Sequence, residues 1–300
     1  MRYKAHVKTP TQAGPIATRI VRGLRAVKSA RVVDLRAFRE GTELAAKLGN
    51  GVAGRKDLVG FHPAHALYVD AQNQVSDLAE QLMALPETAK LADRIDAAQD
   101  EYMPSAPPMS PLTTSYFTCW AFFDATVGQH RETIGTCIVA AGKALGMAPS
   151  FLALVQSMQD SCMSVYMHEG FNANGTTTLR DIVRNDRVPC VVPCGWRGVR
   201  GELWLARVLP PPAGTGPDSV VFTTPYVLRN AREQDWLAYF DRTLGASKGD
   251  ANKTTAALKY SIDWSEYIFA GYAGHVTEAI FLDGLPDVPA SLPHYSPRNR

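Results

Sequence analysis

Binding a phosphate takes backbone N–H groups, a positive charge and hydroxyls that converge on one point. Residues 8–15 are where this chain offers them. Lys8, Thr9 and Thr11 lead into Pro15, and a strand before this turn with a helix opening at Pro15 would aim helix-terminal amides and a positive dipole end at an anion. Every α/β unit has such a turn, and most bind nothing.

A second group is Trp196-Arg197-Gly198-Val199-Arg200-Gly201-Glu202-Leu203-Trp204. Aromatic rings stack on bases, and arginine contacts phosphate or stacks as well. Trp and Arg also dominate the energetic centres of protein interfaces. Trp196, Arg197 and Arg200 are therefore candidate contacts for nucleic acid or a protein partner. The bland alternative buries Trp204 in a core and leaves the arginines in water.

A third group comes from charge. Residues 1–60 hold thirteen Lys or Arg against four acids, a net charge of +9, and the other residues carry −7. A basic segment on an acidic body suits nucleic acid, an acidic partner, or the body itself. Arg19, Arg22, Arg25 and Lys28 fall beside the helical stripe Ile16, Ile20, Leu24 and Val27. That spacing puts the cations on an outer flank.

Signatures of catalysis are absent. The chain has no Gly-x-Ser-x-Gly, no Walker loop, no Gly-x-Gly-x-x-Gly and no His-Glu-x-x-His. His168 and Glu169 are adjacent in a strand-like run, so their side chains diverge. Cys162 and His168 form a thiol–imidazole pair only if the fold joins them. The five cysteines are odd in number, and residues 1–12 contain no apolar run of signal-peptide type. Both features point to free thiols in the cytoplasm. Cys190 and Cys194 are spaced by three residues and lack the second half of a zinc site. His62 and His65 are read as solvated loop histidines, because Pro63 argues against a helix there. No metal or cofactor is expected.

The elements that must position these groups read as a mixed α+β chain. A small N-terminal α/β unit has strand period at Tyr3, Ala5 and Val7, a helix from Pro15, and a second strand at 31–35. A helix at 37–48 and a third strand at 65–70 complete it. Residues 74–101 read as helix broken at Pro86. Residues 103–111, with four prolines, form a stiff linker. Central helices fill 112–160, with the stripe Ile134, Cys137, Ile138, Ala141 and Leu145 capped by Gly146.

Near Cys162 the period shortens to that of strands, with candidates at 163–169, 177–183, 188–192, 202–209 and 219–227. Turn signals separate them, which predicts a five-stranded SH3- or OB-like barrel. Its turns give this segment the general look of small barrel modules in bacterial proteins, which carries no function. C-terminal helices follow. One is capped by Asn230 with Glu233 and buries Trp236, Leu237, Phe240 and Leu244; another falls at 264–275.

The expected divisions are a basic N-terminal region at 1–102, the linker at 103–111, a helical and barrel domain at 112–285, and an extended tail at 286–300. No run approaches the ~20 apolar residues of a membrane span. These readings favour a non-catalytic cytoplasmic binding protein. It would serve as an accessory or adaptor subunit of a larger assembly, contacting a protein partner or nucleic acid through the basic N-terminal unit. The alternative is an enzyme acting on a phosphate-containing substrate at the Thr9–Pro15 turn.

Overall fold

Helix α1 (Pro15–Ser29) begins at the proline that the sequence marks, because the fixed φ of proline suits a first helical position and its missing N–H is not needed there. The same rule operates at Pro63, where it overturns an expectation. Residues 63–83 are helix α2, with Pro63 in the first turn and His62 as N-cap. The strand expected at 65–70 is therefore helix, and His65 sits in its first turns. A proline stops a helix only from the interior; at the N-terminus it starts one.

In this computed structural model the described residues are 13–29, 58–102, 111–229, 232–243, 250–260 and 278–280. They form eight α-helices and seven β-strands. The expected strands near 3–7 and 31–35, the helices at 37–48 and 264–275, residues 103–110 of the linker expected at 103–111, the cap Asn230 and the tail lie outside them, and Pro111, the last residue of that linker, opens a helix instead. None of the described helices is long and apolar enough to cross a membrane.

The chain divides into two compact units. One comprises Thr9–Ala97 and Trp120–Gln159; the other comprises Met1–Lys8, Ala98–Cys119 and Asp160–Arg300.

The first unit is helical. After α2, a 3-10 turn at Pro86–Thr88 leads into α3 (Ala89–Tyr102), so the chain breaks at Pro86 as its sequence requires. The Thr88 hydroxyl donates to the Leu82 carbonyl and fixes that break. Helix α3 from Ala98 onward and helix α4 (Pro111–Phe123) up to Cys119 belong to the second unit, and helices α5 (Ile134–Leu145) and α6 (Pro149–Asp160) complete the first. Ile16 and Ile20 of α1, Tyr68 and Val75 of α2, Cys137 and Ile138 of α5, and Val155 and Met158 of α6 are buried. Helix α1 packs against α5, as does α2.

Thr133 caps α5 in a reciprocal pair with Thr136, and Gly146 closes it in the left-handed conformation at φ 80°. Leu145 departs from the expected stripe and is exposed, because it sits at the last helical position beside that cap. Buried Gln159 joins α6 to its neighbours: its amide donates to the Phe123 carbonyl at 2.8 Å, and its oxygen accepts the Thr133 hydroxyl at 2.7 Å.

The second unit contains the barrel. Strand β1 (Met163–Phe171) pairs antiparallel with β2 (Thr177–Asp181), and β2 pairs with β3 (Arg187–Val191). Strand β4 (Leu203–Leu209) lies antiparallel on the other edge of β1, with Met163 opposite Arg207 and Met167 opposite Leu203. Strand β5 (Ser219–Val221) closes the ring, parallel to β3 and antiparallel to β4. The mixed α+β class and the closed five-stranded barrel expected from the sequence are both present.

The strand expected at 219–227 is two strands. After β5 the chain leaves the ladder and resumes as β6 (Tyr226–Arg229), which pairs with the first half of β4. Two features account for the break. The Thr223 hydroxyl takes the Arg207 backbone N–H at 2.8 Å, and Pro225 has no N–H to offer a ladder. Strand β7 (Glu278–Ile280) extends the sheet beyond β6.

The barrel core gathers Tyr166, Leu179, Cys190, Trp204, Ala206, Val208, Val221 and Val227. Helix α7 (Glu233–Thr243) buries Trp236 and Phe240. Helix α8 (Ala251–Tyr260) is capped by Asp250 and packs against β1.

Candidate partner interface

Arg19, Arg22 and Arg25 recur every three residues along α1 and occupy one broad side of it. Ile16 and Ile20 are buried on the other side, and Leu24 is half-buried. All three arginines are exposed, and none makes an ion pair among the described residues. The side chains of Val27 and Lys28 lie outside those residues. The amphipathic split read from the sequence is therefore real over the first three turns.

The N-terminus of α1 is not open. The backbone N–H groups of Ile16 and Ala17 donate to the two carboxylate oxygens of Glu132 at 3.0 and 2.8 Å. Glu132 is buried, and a Cβ on Gly14 would overlap its carboxylate. Lys8, Thr9 and Thr11 lie outside the described residues. The amides that a phosphate at this turn would need already serve an anion supplied by the same chain. No signal in the sequence marked Glu132, because its partners are 115 and 116 residues away.

The second candidate is the turn from Gly195 to Gly201, between β3 and β4. Glycines 195, 198 and 201 all have positive φ. At Gly198 a Cβ would also overlap Trp204 and Glu202, so this position requires glycine for two separate reasons. His168 of β1 clamps the turn three times. Its N–H donates to the Glu202 carbonyl and its carbonyl accepts from Gly201, both at 2.8 Å. Its Nε2 lies 3.0 Å from the Arg197 carbonyl. A carbonyl can only accept, so Nε2 carries the proton. Burial then lowers the imidazole pKa, partly offset by that hydrogen bond and by Glu202.

Trp204 is fully buried and donates from its indole to Glu202 at 2.9 Å. Trp196 is half-buried and packs on the barrel core. Arg197, Val199 and Arg200 are exposed. Arg197 does not hang free in solvent, since its guanidinium carbon lies 4.9 Å from the centroid of the Phe171 ring. Phe171 was missed in the sequence. Its only signal was a large aromatic closing a strand just before the Asn172–Gly175 turn.

The other sequence candidates do not assemble into chemistry. Cys162 and His168 are six residues apart along an extended run, on the order of 20 Å. Glu169 faces away from His168 and pairs with Arg180 at 2.9 Å and Arg187 at 2.6 Å. Cys190 is buried while Cys194 is exposed. Burial pushes the Cys137 thiol up to about 12 and the Cys190 thiol well above its ordinary range, so neither is a ready thiolate nucleophile. His65 stacks on Phe61 with ring centroids 5.0 Å apart. Among the described residues no group of three or more His, Cys, Asp or Glu is placed to hold a metal ion.

Compared with models of known protein families, with curated proteins and with solved structures, the chain matches none.

Proposed function

We propose that this chain works by binding, as an accessory or adaptor subunit of a larger intracellular assembly. Its two contact surfaces are the arginine face of α1 and the Trp196–Arg200 turn. The observation that carries the reading is the row Arg19, Arg22 and Arg25, exposed and without ion-pair partners among the described residues. Cations held on a regular helix at one spacing suit an extended anion such as a nucleic-acid backbone. They offer no element that reads bases, so the binding is weak and independent of sequence. Three phosphate contacts give a salt slope of about −2.7 on duplex DNA.

The test is a triple variant, Arg19→Glu, Arg22→Glu and Arg25→Glu, compared with the wild type for duplex DNA affinity across a salt series and for co-purifying host proteins. Binding should be lost while thermal stability changes little, since exposed substitutions shift stability by about 0.5 kcal/mol or less each. Unchanged binding with a large loss of stability would show that the face is structural and would overturn the reading.

A further inference from the structure

An arginine held over an aromatic ring by a cation–π contact has spent part of its rotamer freedom before it meets a ligand. That is the preorganised state for a two-pronged grip on a carboxylate. The Arg197 guanidinium carbon lies 4.9 Å from the centroid of the Phe171 ring, and the Arg197 carbonyl is anchored by His168. The turn that carries it is held by the further backbone hydrogen bonds of His168 to Glu202 and Gly201. Arg200 lies on the same turn, exposed, and neither arginine makes an ion pair among the described residues. The nearby acid, Glu202, is engaged by the Trp204 indole. Beside these cations the surface is apolar, with Val199 63% exposed and Phe171 44% exposed.

We propose that this end of the barrel, formed by Phe171 and the turn carrying Arg197, Val199 and Arg200, docks an acidic peptide segment of another protein. Arg197 takes one carboxylate through both of its prongs, Arg200 adds charge, and Val199 meets an apolar side chain next to that carboxylate. A nucleic-acid strand suits the site less well. Base stacking needs an open ring face, and Phe171 has Arg197 over its ring and the His168 ring in a T-shaped contact at a centroid distance of 5.1 Å. This inference rests on the binding reading and supplies the partner chemistry for the second of its surfaces.

The test uses the full chain and fluorescence anisotropy. The probes are a short labelled peptide alternating glutamate with leucine, the same peptide with glutamine for glutamate, and a single-stranded oligonucleotide. The acidic peptide should bind and the glutamine peptide should not. Arg197→Gln should weaken the acidic peptide roughly tenfold, the scale of one charge-assisted pair. Arg197→Lys should lose most of the same affinity, because it keeps the charge and loses the fork; it also serves if Arg197→Gln does not fold.

The Arg19, Arg22 and Arg25 triple variant should bind the acidic peptide as the wild type does. Loss of peptide binding in that triple variant, with full binding in Arg197→Gln, would overturn this proposal and leave the α1 reading standing. Equal binding of the glutamine peptide would also overturn it. So would an oligonucleotide that displaces the peptide and itself weakens in Arg197→Gln.

Discussion

The carboxylate of Glu132 accepts the backbone N–H of Ile16 at 3.0 Å across 116 residues of chain, and takes that of Ala17 with its other oxygen. Helix α1 has no acidic residue in its first turn, so this distant glutamate does the work that an N-cap side chain usually does locally. The basic helix is thus anchored by its end as well as by its apolar stripe, and the anchoring leaves its arginines facing out.

Glu132→Ala should therefore cost about 2–4 kcal/mol, because it removes two charge-assisted hydrogen bonds and strands two buried donors. Glu132→Gln should cost less, since an amide oxygen still accepts. Gly14→Ala should resemble Glu132→Ala, as the new methyl overlaps the carboxylate. Urea denaturation gives the energies. A Glu132→Ala protein as stable as the wild type would show that the contact adds nothing.

Arg180 ties three elements of the barrel unit together. It donates from Nε to Glu169 of β1 at 2.9 Å and from both terminal nitrogens to Glu233 of α7 at 2.9 and 2.7 Å. The side chains are only 13%, 22% and 23% exposed for Arg180, Glu169 and Glu233. Arg180→Ala should cost about 2 kcal/mol, allowing for the remaining solvent screening, because it leaves two carboxylates facing each other. Arg180→Lys should not restore the loss, since one ammonium cannot span both acids. Denaturation at low and high salt should show the wild-type advantage shrinking as salt rises. The hydrogen bond from Arg180 holds Glu233 below the usual carboxylate range, and those from Arg187 and Arg180 hold Glu169 there. The stabilisation is therefore fully present above that range and is lost as pH falls below it, through the depressed values of the folded state.

His168 sets a second, milder acid limb. Its Nε2 proton is committed to Arg197, and its buried Nδ1 has no hydrogen-bond partner among the described residues to receive a second proton. Burial accordingly lowers its pKa from the ordinary 6.5. Between the two values the unfolded chain binds a proton that the folded chain refuses, so stability falls as pH drops below about 6.5. His65 is also lowered, by burial and then by His62, and acts with the same sign. His168→Gln should cost about 1–2 kcal/mol at neutral pH for the lost hydrogen bond, and should flatten the stability profile between neutral pH and pH 5. A His65→Gln, His168→Gln double variant should flatten it further. A profile as steep in the double variant as in the wild type would place the acid sensitivity elsewhere.

The sequence by itself determined what depends on near neighbours along the chain. Pro15 starts α1, Gly146 ends α5, Pro86 breaks the helical run, and the change of hydrophobic period near Cys162 announces the barrel. Each signal acts within a turn or two, where sterics and backbone hydrogen bonding set the outcome. Pro63 was misread even at that range, because the same residue starts a helix or stops one depending on where the helix lies.

Tertiary structure alone decided which distant groups meet. Glu132 fills the end of α1, Glu233 reaches Arg180 across 53 residues, and Arg197 settles on Phe171. A carboxylate carries no mark of the amide or guanidinium it will face; closure of the helical unit and of the barrel ring brings them together. The exposed arginines of α1 were legible because amphipathic spacing is local. The occupied helix end beside them was not, because its anion comes from a loop more than a hundred residues away.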